Sequence, residues 1–145
     1  MARSQPIRAL ARLLWAWLPP LLLMGVLYAL SAQPVLPEVG GEGSPWDALF
    51  HKGAHFGSYA LLAWLFHRAL STAAQPPQPI WLISAALAVG YGLTDELHQV
   101  FIPGRSGRLL DVLIDAAGVA AAMALLGWWL ARRSLRQAQA AGAES

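Results

Sequence analysis

Four apolar stretches, each about long enough to cross a lipid bilayer, constrain this chain more than any other feature. They run from about Leu13 to Leu30, Gly53 to Leu70, Ile80 to Leu97 and Leu109 to Leu130. A helix rises about 1.5 Å per residue and needs about 20 residues to cross the hydrocarbon, and each stretch has roughly that many. None alternates like a strand, and lipid offers no partner for backbone groups left open. The expected fold class is therefore all-α, a polytopic membrane protein of about four transmembrane helices in one bundle. Composition agrees: of 145 residues, 12% are charged and 57% hydrophobic. That charge share is about half of what is usual in a soluble domain.

The same composition excludes several function classes. Net charge is +2, with the basic residues at chain ends and loops, and no basic stripe interleaves with aromatics. No nucleic-acid partner is expected. Cysteine is absent, which removes disulfides, thiolate zinc sites and cysteine nucleophiles. The chain divides into a basic N-terminus (1–12), a membrane domain (13–131) and a basic tail (132–145) expected to be frayed.

Arg3, Arg8 and Arg12 ahead of the first stretch, with Ala29-Leu30-Ser31 after it, also fit a cleaved signal peptide. The length of the run, and Trp15 and Trp17 placed as interfacial anchors, favour an uncleaved span. Pro19-Pro20 should bend this helix without ending it, because neighbouring helices can satisfy the freed carbonyls. A Pro- and Gly-rich loop with Glu38 and Glu42 spans Gln33 to Gly43. Ser44-Pro45-Trp46-Asp47 then reads as a helix start, with Ser44 as N-cap and Pro45 as first helical residue. The short loop Ala73 to Pro79 contains Pro-Pro-Gln-Pro and cannot stay helical.

With four spans, the N-terminus, second loop and C-terminus hold seven arginines, and the other side holds Lys52, Arg105 and Arg108. The positive-inside rule then places both termini in the cytoplasm. The three exceptions sit among the acids and histidines. Lys52, His55 and Tyr59 share a helix face, and His51 lies one turn from His55, a helical metal-ligand spacing. Gly53 and Gly57 form a small-residue pattern that admits a close helix neighbour. Thr94-Asp95-Glu96-Leu97-His98-Gln99 closes the third helix, and Asp111 and Asp115 open the fourth. Asp115 should lie about 9 Å beyond that helix start, where an ionised carboxylate must face the bundle and find a partner. Alternating topology brings all of these segments to one side.

Lys-x-x-His-Phe-x-x-Tyr-x-x-Leu at Lys52 to Leu62, Asp-Glu-x-x-Gln-x-Phe-x-Pro-x-Arg at Asp95 to Arg105, and the run Asp111 to Gly118 together resemble the VanZ-like family. Its members are small bacterial membrane proteins, named for one that raises resistance to the glycopeptide teicoplanin. The resemblance covers about Ser31 to Gly127 and implies a multi-pass protein of the bacterial cytoplasmic membrane with a role in the cell envelope. Two positions depart from the family pattern: His51 stands where an acid is usual, and Asp115 where an amide is usual.

Three readings of the polar cluster stay open. Lys52, Arg105 and Arg108 could neutralise the four acids in a network that only orients helices. The cluster could recognise an anionic lipid head group or cell-wall precursor through Lys52, His55, Tyr59, Asp95, Glu96, Gln99, Arg105 and Asp111. It could also be a hydrolase or transferase with Glu96 and His55 as acid–base candidates, and with His51 and His55 as weak metal ligands. Glu96 and Asp111 are expected to be held by Lys52 and Arg105. No cofactor is expected, membrane lipids are the expected partners, and an oligomer is compatible with the pattern.

Overall fold

The computed structural model describes residues 4–34, 44–73, 79–105 and 107–143, and shows four helices and, among these residues, no strand. They are α1 (Ser4–Ser31), α2 (Pro45–Ala73), α3 (Ile80–Gln99) and α4 (Leu109–Ala143). Most of the loop from Gln33 to Gly43 and of that from Ala73 to Pro79 lies outside the described residues, as do Glu38 and Glu42. Ser44 does cap α2, its hydroxyl accepting from the Trp46 N–H at 3.3 Å. The tail expected to fray is an exposed continuation of α4 to Ala143. Its Ala, Gln, Arg and Leu residues are strong helix formers, with no breaker before Gly142.

By length and apolar composition, three of the four helices can cross a membrane: Arg8–Ser31 of α1, Ile80–Gln99 of α3, and Leu109–Gly142 of α4. α2 has 29 residues, but His55, Ser58, Tyr59, His67 and Arg68 dilute its apolar run. Its position explains that composition. α2 packs against all three other helices, and it supplies Tyr59, Leu62, Ala63 and Phe66 to a core completed by Ala88 of α3 and Val119 of α4. A central helix meets protein on most sides and needs fewer lipid-facing side chains.

Inside and outside are inverted relative to a soluble protein. Asp95, Glu96, Gln99 and Asp115 are buried, while Leu14, Trp15, Leu22, Leu93, Leu113 and Leu125 are exposed. Apolar surface on this scale is stable only against lipid or another apolar partner. Trp128 and Trp129 carry Arg132 and Arg133 over their rings, at 4.2 Å and 5.3 Å to the centroids, as in an interfacial belt.

The helices run alternately up and down. At one end, Arg68 near the close of α2 reaches residues 15 and 16 of α1. At the other, Tyr28 near the end of α1 stacks on His98 near the end of α3, with centroids 4.8 Å apart. That second end also holds the start of α2 and the start of α4, joined by His55 and Asp115. α1 continues through Pro19 and Pro20 without a break. Those prolines lack the N–H groups that would bond the carbonyls of Trp15 and Ala16, four residues earlier. The Arg68 guanidinium donates to both carbonyls at 3.2 Å. Tyr91 of α3 adds a second tie to α1, its hydroxyl donating to the Met24 carbonyl at 2.6 Å.

The close approach expected at Gly53 and Gly57 is not made there. Both are exposed and a Cβ on either would meet nothing. Gly118 of α4 makes the approach instead: a Cβ there would run into the Phe56 carbonyl of α2. The small face that matters belongs to the helix on the opposite side of the contact.

Candidate functional site

The site forms where the start of α2, the end of α3, the following turn and the start of α4 meet. The helical repeat sets the first contribution: His51, Lys52, His55 and Tyr59 lie along the opening turns of α2. His55 points inward, its Nδ1 lying 3.0 Å from Asp115 Oδ1 of α4, sixty residues away. Asp115 is 1% exposed, so the acid expected to need a partner finds one in histidine. Its second oxygen has no hydrogen-bond partner. Gly92 of α3 makes room for this pairing, since a Cβ there would press on both Asp115 Oδ2 and the Tyr59 ring at 3.2 Å. The Tyr59 ring stacks beside His55 with centroids 6.3 Å apart. Neither the Tyr59 hydroxyl nor Asp95 Oδ1 has a hydrogen-bond partner.

α3 ends in a polar ladder. Gln99 donates to Asp95 Oδ2 at 3.2 Å and, more weakly, to Glu96 Oε1 at 3.5 Å. Its own carbonyl oxygen accepts from Arg105 at 2.8 Å. Glu96 Oε2 accepts the backbone N–H of Arg108 at 2.9 Å, which fixes the entry to α4 against the end of α3. Gly107 permits this closeness, because a Cβ there would strike the Glu96 carbonyl.

The expected assignment of counter-ions is wrong in a specific way. Neither Lys52 nor Arg105 bonds to Glu96 or Asp111: Lys52 is exposed, and Arg105 is engaged by Gln99. Ion pairs at this end include His51 with Asp47 at 3.3 Å and His55 with Asp115 at 3.0 Å. Long cationic side chains at the rim reach water more cheaply than they reach a buried acid. The hydrogen bonds that Asp95, Glu96 and Asp115 do make come from amide, backbone and imidazole groups.

Two cavities open onto this cluster. One, of about 440 Å³, is lined by Leu27, Leu30 and Ser31 of α1, Phe50, Ala54, Ser58 and Tyr59 of α2, and Asp95 of α3. The other, of about 330 Å³, is lined by Asp47, Ala48, Lys52, Gly104, Arg108 and Asp111. His51, His55, Gln99 and Arg105 line both. One donor atom each from His55, Glu96 and Asp115 falls within 4.8 Å of the others, a set that could hold a metal ion. His51 stands apart from that set, tied to Asp47.

Sequence reasoning named every member of this cluster but left Asp115 out of its binding set. Its depth in α4 was the signal for including it. The backbone N–H of Arg108 and the space left by Gly92 carry no signal readable from residue type.

Across residues 20–131 the chain matches the family model described as VanZ/LLP1, and no match is found among curated proteins or among solved structures. The matched span contains every residue from Lys52 to Asp115 described above, and the chain belongs to the VanZ/LLP1 family.

Proposed function

We propose that the chain is a four-span membrane protein that binds an anionic amphiphile of the cell envelope, a lipid or a lipid-linked cell-wall precursor. One observation carries the reading: an apolar cavity and a cation-lined cavity share His51, His55, Gln99 and Arg105. A hydrocarbon chain suits the first compartment, and a phosphate suits Lys52, Arg105 and Arg108 in the second. Arg105 at the junction would hold the head group while Phe50, Leu27 and Leu30 receive the chain. The alternative, a charged network that only orients helices, is disfavoured because neither Lys52 nor Arg105 pairs with a buried acid.

α2 lies antiparallel between two helices long and apolar enough to span, which supports a fourth crossing. The distribution of arginine then puts the cleft on the extracytoplasmic side and both termini in the cytoplasm. α1 forms one wall of the apolar cavity, so a functional protein retains it. Altered glycopeptide tolerance is a phenotype worth scoring for a family with this history.

Two experiments test the reading. The chain purified in mild detergent should carry anionic lipid detectable by mass spectrometry, and Arg105→Ala should lose it. Equal lipid in Arg105→Ala would refute the cleft. Single cysteines at Ser106 and Ser71, probed with an impermeant maleimide on whole cells, address topology. Labelling at Ser106 alone supports the extracytoplasmic site, and labelling at Ser71 alone reverses the orientation. Labelling at both excludes the four-span arrangement.

A further inference from the structure

Three carboxyl groups, on Asp95, Glu96 and Asp115, are 6%, 4% and 1% exposed. Neither Lys52 nor Arg105 bonds to any of them, and the charged partner found among them is the His55 ring, beside Asp115. Burying charge inside an apolar bundle without compensation is costly enough that such groups normally recruit a partner. Hydrogen bonds account for part of this set: Glu96 has the Arg108 N–H and the Gln99 amide. They do not account for Asp115 Oδ2, a buried oxygen with no partner.

We infer that His55, Glu96 and Asp115 form a site for a first-row divalent cation, zinc or manganese. One donor atom from each lies within 4.8 Å of the other two. Ligands about 2.0–2.2 Å from a zinc ion in tetrahedral array sit about 3.5 Å apart, so modest rotation of the three side chains closes the set. Two carboxylates cancel the charge of a divalent ion, and the imidazole adds a neutral nitrogen. That nitrogen favours zinc or manganese over magnesium and calcium, which prefer oxygen-only shells. The residues around the set are placed as a supporting shell would be: the Arg108 N–H and Gln99 hold Glu96, and Gly92 leaves room beside Asp115. The interior position of the acids then has a reason, since the ion supplies positive charge that neither Lys52 nor Arg105 brings to them.

Three protein ligands leave a coordination position open, as at zinc sites that bind substrate. Of the three, His55 lines both cavities, which sets the site next to the junction where the proposed ligand's head group would lie. A phosphate oxygen on the ion would join the two compartments; this last step rests on the lipid reading, whereas the metal site itself does not.

The full-length chain, purified in detergent, stripped with chelator and equilibrated separately with zinc and with manganese, is the material for the test. Elemental mass spectrometry should find about one cation per chain, and Mn²⁺ should give a bound, broadened paramagnetic signal. Asp115→Asn and His55→Ala should reduce bound metal about tenfold or more, while Glu96→Gln, which keeps an acceptor for the Arg108 N–H, should weaken it by a smaller factor. Arg105→Ala should keep its metal while losing lipid, which separates failure of this site from failure of the cleft. Circular dichroism confirms that each variant is helical. Wild-type chain that takes up less than about a tenth of a cation per molecule of either metal overturns the inference, as does full metal content in both Asp115→Asn and His55→Ala.

Discussion

Replacing Arg68 with Met should loosen α1 from the bundle, and the cost should depend on two prolines in a different helix. Pro19 and Pro20 leave the carbonyls of Trp15 and Ala16 without their helical donors, and Arg68 donates to both at 3.2 Å. Hydrogen bonds from a charged donor contribute about 1.5–3 kcal/mol each when buried. The bond to Ala16 is part-buried and that to Trp15 is exposed, so the pair together is worth about 2 kcal/mol after allowance for solvent. The measurement is a double-mutant cycle on unfolding in detergent: Arg68→Met alone, Pro19→Ala with Pro20→Ala, and all three changes together. The alanines restore backbone donors to both carbonyls, so Arg68→Met should cost little in that background. Pro20 is fully buried, and its replacement has a packing cost of its own, but the cycle cancels that term. A coupling of about 1–2 kcal/mol is expected, a factor of about 5 to 30 in the unfolding equilibrium. An Arg68→Met cost that is the same in both backgrounds would refute the argument, and Arg68 would then be only a topological marker at the end of α2.

Other substitutions probe the same packing. Gly118→Ala drives a methyl group into the Phe56 carbonyl and should destabilise the α2–α4 contact by about 1–3 kcal/mol in thermal unfolding, whereas Gly53→Ala and Gly57→Ala should be close to neutral. Tyr91→Phe removes the 2.6 Å bond to the Met24 carbonyl and should cost about 1 kcal/mol, with faster proteolysis of α1 as a second readout. Lys52→Met should leave stability within about 0.5 kcal/mol of wild type, because Lys52 is exposed and holds no acid, yet it should weaken binding of a phosphorylated amphiphile. A loss of stability in Lys52→Met comparable to that in Gly118→Ala would restore the helix-orienting network as the better account of the cluster.

How far the sequence carries this reading depends on the range of the interaction concerned. The apolar runs locate the helices, because what a span must satisfy is local: enough length, and no open backbone group. The runs beginning at Ile80 and Leu109 coincide with the starts of α3 and α4, and the helices overrun them only where Gln99 or the Ala- and Arg-rich tail continues the turn. Convergence of the three polar segments is also legible, since alternation of direction alone brings their ends together. Pairing within the cluster is not. Charge matching assigns Lys52 and Arg105 to Glu96 and Asp111, but a long cation at the rim can turn to water, and its sequence position says nothing about which way it turns. The partner of Asp115 is instead the shorter, stiffer His55, sixty residues away and held by the register of α2 against α4. That register is set at Gly118 and not at Gly53 or Gly57, although all three look alike in the sequence. Helix phase decides which small residue faces a neighbour, and phase is fixed only when three helices pack at once. The same packing that hides Gly118 therefore brings Asp115 within reach of His55 and Glu96, so the metal site and the α2–α4 contact should be lost together when Gly118 is enlarged. Metal content in Gly118→Ala that stays at the wild-type level despite a weakened helix contact would separate the two and show that the donor set assembles without that register.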